Sequence, residues 1–449
     1  MSDYRNLATE LVAALKKQGA DACDVYVVTS SGFTTNVRLG KVEKLQQSIS
    51  KGLGLRVLKD NAQALTFTTD FTDKSVKQLV AETLSIVKVS NADEYNGLAP
   101  KELLGVYPGK LELFDPTIGR LTPERKIEMV MEAEDAGMRY DKRITNTSGS
   151  AWSDGVSSVT LANSDGFVGR YESTFAVLQT SLLAEENDVK QTDGWFTFSR
   201  FLNKLESPKL VGQEAGRRVI RKLGGKKVKS QKVPVVVDPM VSRGLVSQIF
   251  GAASGRGIFR KSSFLVDRIG EQIGSPLITI VDDGVMQDGP ASRPFDGEGV
   301  RSSQVTVLEK GVLKNYVCDS YSARRLKLKP TGNAGRSYQS VPFISSSNLH
   351  MKAGTSKPED IIKSVKNGLY LTSVFGQGFN GVTGDLSQGA AGIWIENGEL
   401  TYPVQEITLA GNLLTMVKNV TMVGDDLSFR FGGTAAPTIL ISEATIGGE

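Results

Sequence analysis

The stretch Ile393-Trp394-Ile395-Glu396-Asn397-Gly398-Glu399-Leu400-Thr401-Tyr402 decides how the second half of this chain is read. Branched and aromatic residues flank an Asn-Gly pair, which supplies the positive φ angles of a two-residue hairpin turn. A β-hairpin is expected, with strands at 393–395 and 399–402. Glu309-Lys310-Gly311 repeats the signal between strand-like runs at 305–308 and 312–316. A further short strand is expected at 278–281, and one helix stands out, at 357–367. Upstream, Val233-Pro234-Val235-Val236-Val237 reads as a short buried strand, ended by Asp238-Pro239 before a helix over 240–253. Residues 232–449 are expected to form a β-rich domain of mostly antiparallel strands.

The first half reads as α+β, with hairpins and helices. Leu7, Leu11, Val12 and Leu15 recur at helical spacing, and Gly19 caps that helix. Strands follow at 24–28, 34–50 and 54–68, with turns at Gly40-Lys41 and Lys59-Asp60-Asn61. Val76, Leu79, Val80 and Val87 mark a helix over 75–88, with Ser75 and Gln78 as a capping box. Residues 91–121 read as a linker. Thr122-Pro123-Glu124 starts a helix that ends at Gly137. Residues 144–183 are strand-rich with a turn at Asn163-Ser164-Asp165-Gly166, and Ser207-Pro208 starts a helix that stops at Gly224-Gly225. Residues 1–225 form either one region or a module at 1–100 followed by another at 120–225.

Composition narrows the function classes. The 449 residues are 40% hydrophobic and 23% charged, which is ordinary for a globular protein. The net charge of +4 is too weak a bias to argue for nucleic acid. Cys23 and Cys318 are the only cysteines, which excludes a disulfide framework and fits a reducing compartment. His350 is the only histidine, so a site needing two histidines cannot be built from one copy of the chain. The opening Met-Ser-Asp-Tyr-Arg-Asn-Leu has no apolar stretch behind it, and no run of 18 apolar residues occurs. No membrane association is expected, and the cytoplasm is the expected location. Lys222, Lys226, Lys227, Lys229 and Lys232 form a basic stretch without interleaved aromatics, read as a solvated linker.

Few constellations suggest chemistry directly. Gly376-x-Gly378-x-x-Gly381 matches a dinucleotide pattern by letters, but a β-rich surround lacks the strand-turn-helix that makes it work. Asp282-Asp283, Asp296 with Glu298, and Asp425-Asp426 are paired carboxylates beside glycines, where turn chemistry is the favoured reading. His350 alternates with Leu349 and Met351 in an expected strand, as a structural residue. Lys261-Ser262-Ser263 leaves a Ser-Lys dyad open.

Five segments carry a resemblance. They are Asp282-Asp283-Gly284, Phe295-Asp296-Gly297-Glu298-Gly299, Thr331-Gly332-Asn333-Ala334, Thr383-Gly384-Asp385-Leu386-Ser387, and the hairpin from Gly392 to Val404 that leads into Glu406-Ile407-Thr408-Leu409-Ala410-Gly411-Asn412. In this order they resemble the TldD/PmbA metallopeptidase family, in its PmbA (TldE) branch, over the whole chain. The resemblance implies a peptidase assembly. TldD-type chains carry a His-Glu-x-x-x-His helix and a C-terminal cysteine around one zinc-like metal, whereas PmbA-type chains are the paired subunit without that site. Anchored on Phe259-Arg260-Lys261, the matching helix places Ser247 and Ala252 at the histidines and Gln248 at the acid. Gly424-Asp425-Asp426 offers no cysteine.

These substitutions remove ligands and base together. Ser and Ala do not replace imidazole, and neutral Gln is a poor proton acceptor. No catalytic or metal-binding residue and no cofactor is expected in this chain. The metal is expected in a TldD-like partner, with unfolded peptides as substrate and precursor processing as one task. Gly376, Gly378, Asn380, Gly381, Gly384 and Asp385 are the candidate substrate-facing residues, within a loop that reaches Gly392. Alternatives are an independent peptidase with a site that uses no histidine, and a nonenzymatic adaptor or regulator, including a homodimer in isolation.

Overall fold

A computed structural model describes residues 2–448. The first half comprises α1 (Arg5–Lys17), β1 (Ala22–Arg38), β2 (Lys41–Lys59), β3 (Ala62–Thr68) and α2 (Asp73–Val87). After a connecting stretch come α3 (Pro123–Met138), β4 (Ile144–Asn163), β5 (Val168–Glu186), β6 (Val189–Ser199) and α4 (Pro208–Ile220). The six strands form one antiparallel sheet in the order β3-β2-β1-β4-β5-β6. β1 pairs with β4 from Asp24 opposite Asn163 to Val37 opposite Ser150, so residues on both sides of the connecting stretch share one sheet.

One face of this sheet carries the helices. Leu11 and Leu15 of α1 and Val76, Leu79 and Val80 of α2 bury Val25, Leu53, Leu55 and Val57. Val130 and Ala133 of α3 pack with Val37, Trp152 and Leu178, and Ala215 and Val219 of α4 pack with Leu182. On the opposite face Tyr26, Val159 and Leu161 meet Phe295 of the second half. Full burial of such side chains contributes about 1.5–3 kcal/mol each.

Local details depart from expectation. β1 and β2 are continuous where breaks are expected at 29–33 and 51–53, because hydrogen bonding to neighbouring strands carries the Ser-, Thr- and Gly-rich stretches. The hairpin turn sits at Leu39-Gly40, both at positive φ, one residue before the expected Gly40-Lys41. The N-cap of α2 is Thr72, which accepts from Ser75 N, and not Ser75. Ser75 instead donates its hydroxyl to Asp70, 2.6 Å away. α4 ends at Ile220, ahead of Gly224-Gly225. Residues 91–121 are irregular apart from two 3-10 turns, but they are bound to the second half. Arg324 donates to the carbonyls of Tyr95, Leu98 and Gly97 at 2.7, 2.9 and 3.1 Å.

The second half begins with β7 (Gln231–Val237), α5 (Pro239–Ala252), α6 (Gly255–Phe259), β8 (Ile280–Asp283), β9 (Gln304–Glu309), β10 (Val312–Leu313) and α7 (Ser320–Leu326). It continues with β11 (Ala334–Gly335), β12 (Phe343–Ile344), β13 (Asn348–Met351), α8 (Pro358–Lys363), β14 (Asn367–Phe375) and β15 (Asp385–Glu396). It ends with β16 (Glu399–Asn412), α9 (Leu413–Lys418), β17 (Val420–Val423), β18 (Thr434–Ala435) and β19 (Ile439–Gly447). The larger sheet has the order β16-β15-β14-β7-β19-β17, and β16 also pairs with β19. A smaller sheet runs β10-β9-β8-β13-β18, and β11 pairs with β12. Only β14–β7 and β13–β18 are parallel among these pairs. The β15–β16 hairpin turns at Asn397-Gly398, both at positive φ, as its sequence demands.

Three helices of the second half, α6, α7 and α9, are absent from the sequence-based expectation, since one or two turns are too short to display a 3.6-residue period. α8 is shorter than expected because Asn367 already begins β14. The basic stretch is largely ion-paired: Lys222 with Asp193 (3.0 Å), Lys227 with Glu406 (3.1 Å) and Lys232 with Glu443 (3.2 Å). Lys226 lies over the Tyr402 ring. Among the described residues, no helix is long and apolar enough to cross a membrane.

Candidate functional site

The helix α5 is built by its flanks. Asp238 caps it, accepting from Met240 N at 2.9 Å and from the Tyr370 hydroxyl at 2.7 Å. Pro239 fits the first turn, where no backbone donor is needed. Val241, Leu245, Val246, Ile249 and Phe250 face the core, and Ser242 donates to the Pro437 carbonyl at 2.7 Å. Arg243 reaches the Phe431 carbonyl at 3.0 Å, and the Phe431 ring packs edge-on against Trp195 and Phe196 of β6. Thus α5 is tied through the C-terminal segment to the edge of the first sheet.

Ser247 and Ala252 point in different directions, whereas Gln248 and Ala252, four residues apart, share a face. Five residues along a helix amount to about 140° of rotation. Ser247 is exposed and donates its hydroxyl to the Arg243 carbonyl at 3.2 Å. Gln248 is half-buried, with Oε1 buried and unpartnered. Ala252 is 6% exposed.

These side chains do not form a metal-ligand set. Alanine has no donor atom, the serine proton is committed to a carbonyl, and an amide oxygen is a weak neutral ligand. Burial pushes the Cys23 and Cys318 thiols up to about 12, and the two lie in separate hydrophobic cores. His350 lies buried in β13 with Nδ1 3.0 Å from the Asn348 carbonyl and its ring edge-on to Phe429. Among the described residues, no group of three or more His, Cys, Asp or Glu side chains is placed to hold a metal ion.

The loop 376–384 joins β14 to β15, so a strand follows it and the helix of a dinucleotide site is missing. Gly376 and Gly384 adopt positive φ, and a Cβ at Gly378 would clash with the Ser387 carbonyl. Gly381 has neither constraint. Asn380 N donates to the Asp385 carbonyl and Gly384 N to the Asn380 carbonyl, each at 2.8 Å. Asn412 donates to the Asp385 carboxylate at 3.0 Å. That bond, with one from Thr383, holds the Asp385 carboxyl below its ordinary range.

The structure links this loop to α5. The Ser263 hydroxyl donates to the Ala252 carbonyl at 2.6 Å and accepts from Leu265 N at 3.0 Å. The neighbouring Phe264 ring packs edge-on against Phe379 and lies against Gly384. Ser262 donates to the Gly257 carbonyl at 3.3 Å. Both serine hydroxyls of Lys261-Ser262-Ser263 therefore bind backbone, which gives a Ser-Lys dyad no support.

Two of the three acidic motifs meet elsewhere, whereas Asp426 accepts from Thr438 N and Thr438 Oγ1 at 2.9 and 2.7 Å. Asp282 accepts from Ser347 N, Ser347 Oγ and Asn333 Nδ2 at 2.8, 2.9 and 2.6 Å. Asp296 accepts from Glu298 N, Val300 N and Ala334 N at 2.9, 3.0 and 3.0 Å. Glu298 accepts from Ser320 N at 2.8 Å. The chain around 282, 296–300, 320, 333–334 and 347 is thereby knotted together. Turn chemistry alone does not anticipate this burial; the carboxylates are buried because backbone donors from other segments satisfy them. Burial pushes the Asp282 and Asp296 carboxyls above their ordinary range, and Glu298 up to about 7 with help from the adjacent Asp296. Beside them Asp24 of β1 lies between Arg56 and Arg336, 2.5 Å from each. Burial raises the Asp24 carboxyl, but the two guanidiniums outweigh it and hold the group below its ordinary range.

Three family profiles match the chain in order. They describe PmbA/TldA metallopeptidase domain 1 over residues 23–87, the central domain over 116–223 and the C-terminal domain over 230–448. Metalloprotease PmbA of Escherichia coli O157:H7 is 35% identical over 430 residues, spanning 96% of this chain and 93% of that protein. The crystal structure of a candidate modulator of DNA gyrase from Bacteroides thetaiotaomicron superposes with a TM-score of 0.92 at 30% identity, covering 100% of both chains. TldE from Thermococcus kodakarensis shares the fold, with a TM-score of 0.89 at 23% identity over 98% of this chain and 99% of that one.

Proposed function

This chain belongs to the PmbA/TldD metallopeptidase family, and from that premise we propose that it is the non-catalytic, PmbA/TldE-like subunit of a TldD/TldE-type peptidase. In this reading a TldD-like chain holds the zinc-like metal. The pair degrades unfolded peptides and processes precursor peptides in the cytoplasm.

The donor chemistry of α5 carries the proposal. Ser247, Gln248 and Ala252 occupy the ligand and base positions of the TldD-type helix, and none supplies an imidazole or a carboxylate. The contact of Phe264 with Phe379 supports a role for the loop at Gly376, Gly378, Asn380, Gly381, Gly384 and Asp385 in presenting substrate beside α5. An extended peptide bound through its backbone would be accepted with little regard to sequence.

The test measures hydrolysis of an unfolded polypeptide and bound metal for this chain, a TldD-like chain, and their mixture. Activity that requires the mixture, with metal retained by the partner alone, is expected. Stoichiometric metal and chelator-sensitive hydrolysis by this chain alone overturn the proposal. Chelator-insensitive hydrolysis by this chain alone indicates an independent peptidase, and failure to bind or activate any TldD-like chain indicates an adaptor.

A further inference from the structure

A cavity of about 190 Å³ lies at the junction of the two halves. Arg56 of β2 stands on one side, and Arg256, Arg260, Glu298, Asp319 and Arg324 of the second half stand on the other. Sites for drug-sized ligands run to about 300–1,000 Å³, so this one suits a single ion or one functional group.

The charges around it do not balance. Asp319, 1% exposed, is taken by Arg256, whose Nε and Nη2 donate to one of its oxygens at 3.0 and 2.7 Å. Among the described residues, Nη1 of Arg256 makes no hydrogen bond. Arg56, 3% exposed, shares Asp24 with Arg336, and its Nη2 lies beside that carboxylate without a directed hydrogen bond. Arg324 spends Nε, Nη1 and Nη2 on the carbonyls of Tyr95, Leu98 and Gly97, which carry no charge. Arg260 lies over the Phe259 ring, 5.6 Å from its centre, and among the described residues it has no carboxylate partner. Glu298 is the one lining carboxylate without a guanidinium partner, and its Oε2 accepts from Ser320 N at 2.8 Å.

This surplus selects the sign of an occupant. A cation would meet four guanidiniums. An anion offsets the desolvation of Arg324, whose guanidinium burial holds below its ordinary range. All four cations are arginines, whose planar forks match the oxygens of phosphate and carboxylate. A carboxylate is satisfied by one fork, whereas a tetrahedral group has an oxygen for each of several forks that converge from β2, α6 and α7.

We propose that this cavity binds one small tetrahedral oxyanion of the phosphate class between Arg256, Arg260 and Arg324, with Arg56 behind it. The inference does not depend on the peptidase reading. The ion neutralises the seam at which the first sheet meets the second half.

Glu298 gives this binding a pH dependence. The charged groups around it are Arg56 of β2, the adjacent Asp296, Asp319, and Arg324 of α7. Its carboxyl lies at about 7 without the anion, and a neighbouring anion favours the protonated form. Binding therefore takes up a proton above about pH 7. Affinity is level below that pH and falls above it, by up to about tenfold per unit.

Calorimetric titration of the full chain with sodium sulfate, at ionic strength held constant with chloride, tests the proposal. Sulfate keeps its charge across this pH range. One saturable site per chain is expected, displaced by inorganic phosphate. Displacement by phosphoserine as well extends the site to monoesters, and its failure confines the site to the free ion. Arg260 is exposed, so Arg260→Ala should melt in chloride like the unaltered chain and bind sulfate about tenfold more weakly. Glu298→Gln should remove the decline above pH 7. Absence of saturable binding overturns the proposal. So does binding indifferent to Arg260→Ala, which lies elsewhere, and so does an affinity of the unaltered chain that ignores pH, since Glu298 then does not face the anion. Acetate that displaces sulfate as well as phosphate does also overturns it, and assigns the cavity to carboxylates.

Discussion

The hydroxyl of Ser263 donates to the carbonyl of Ala252 across 2.6 Å, and through it the end of α5 is fastened to the segment that carries Phe264. Phe264 in turn holds Phe379 and Gly384 of the β14–β15 loop. Two sets of residues more than a hundred positions apart become neighbours through one buried hydroxyl.

Removing that hydroxyl tests the linkage. Ser263→Ala leaves the Leu265 N–H and the Ala252 carbonyl without their partner. A loss of about 1–3 kcal/mol is expected in urea unfolding. Hydrolysis by the mixture with a TldD-like chain should fall as well if the loop serves substrate. A stability unchanged within error would show that the bond does not fasten the segment.

The loop glycines separate conformational need from function. Gly378→Ala places a Cβ against the Ser387 carbonyl and is expected to destabilise by about 1–3 kcal/mol. Gly381→Ala meets no atom within 4 Å and needs no positive φ, so stability should stay within about 0.5 kcal/mol. A large effect of Gly381→Ala on partner-dependent hydrolysis, with thermal melting unchanged, would mark a substrate contact.

Asp24 is the buried counter-charge of two guanidiniums, Arg56 from its own sheet and Arg336 from the second half. Asp24→Ala leaves both cations buried without it. A loss of about 3–5 kcal/mol is expected from chemical denaturation. A loss under about 1 kcal/mol would mean that the pair does not fasten the halves together.

Glu298 gives a pH dependence of known sign. Its carboxyl lies near 7 when folded against an ordinary 4.5. Below about 4.5 both states hold the proton. Between 4.5 and 7 the folded state keeps a proton that the unfolded chain releases, so this contribution to stability declines with rising pH and is gone above about 7. Glu298→Gln keeps an acceptor for Ser320 N and removes the titration. The variant should therefore gain stability relative to the unaltered chain across this window, by up to about 1.4 kcal/mol per pH unit. Parallel curves would rule out a raised carboxyl at this position.

The sequence by itself determined the local elements whose residues leave no alternative. Asn397-Gly398 sets its own hairpin turn, and Thr122-Pro123 and Ser207-Pro208 start their helices with hydroxyl caps. The proposed loss of ligands at Ser247, Gln248 and Ala252 is read from residue type alone, since whether a side chain carries an imidazole or a carboxylate needs no geometry. Tertiary structure alone decided that β1 and β4 share a sheet, that Asp282, Asp296 and Glu298 are buried, and that Ser263 binds Ala252. Pairing between distant strands depends on backbone hydrogen bonds that every residue but proline can donate, so no residue pattern announces the partner. A buried carboxylate depends on donors brought by other segments, and those meet only when the chain has folded.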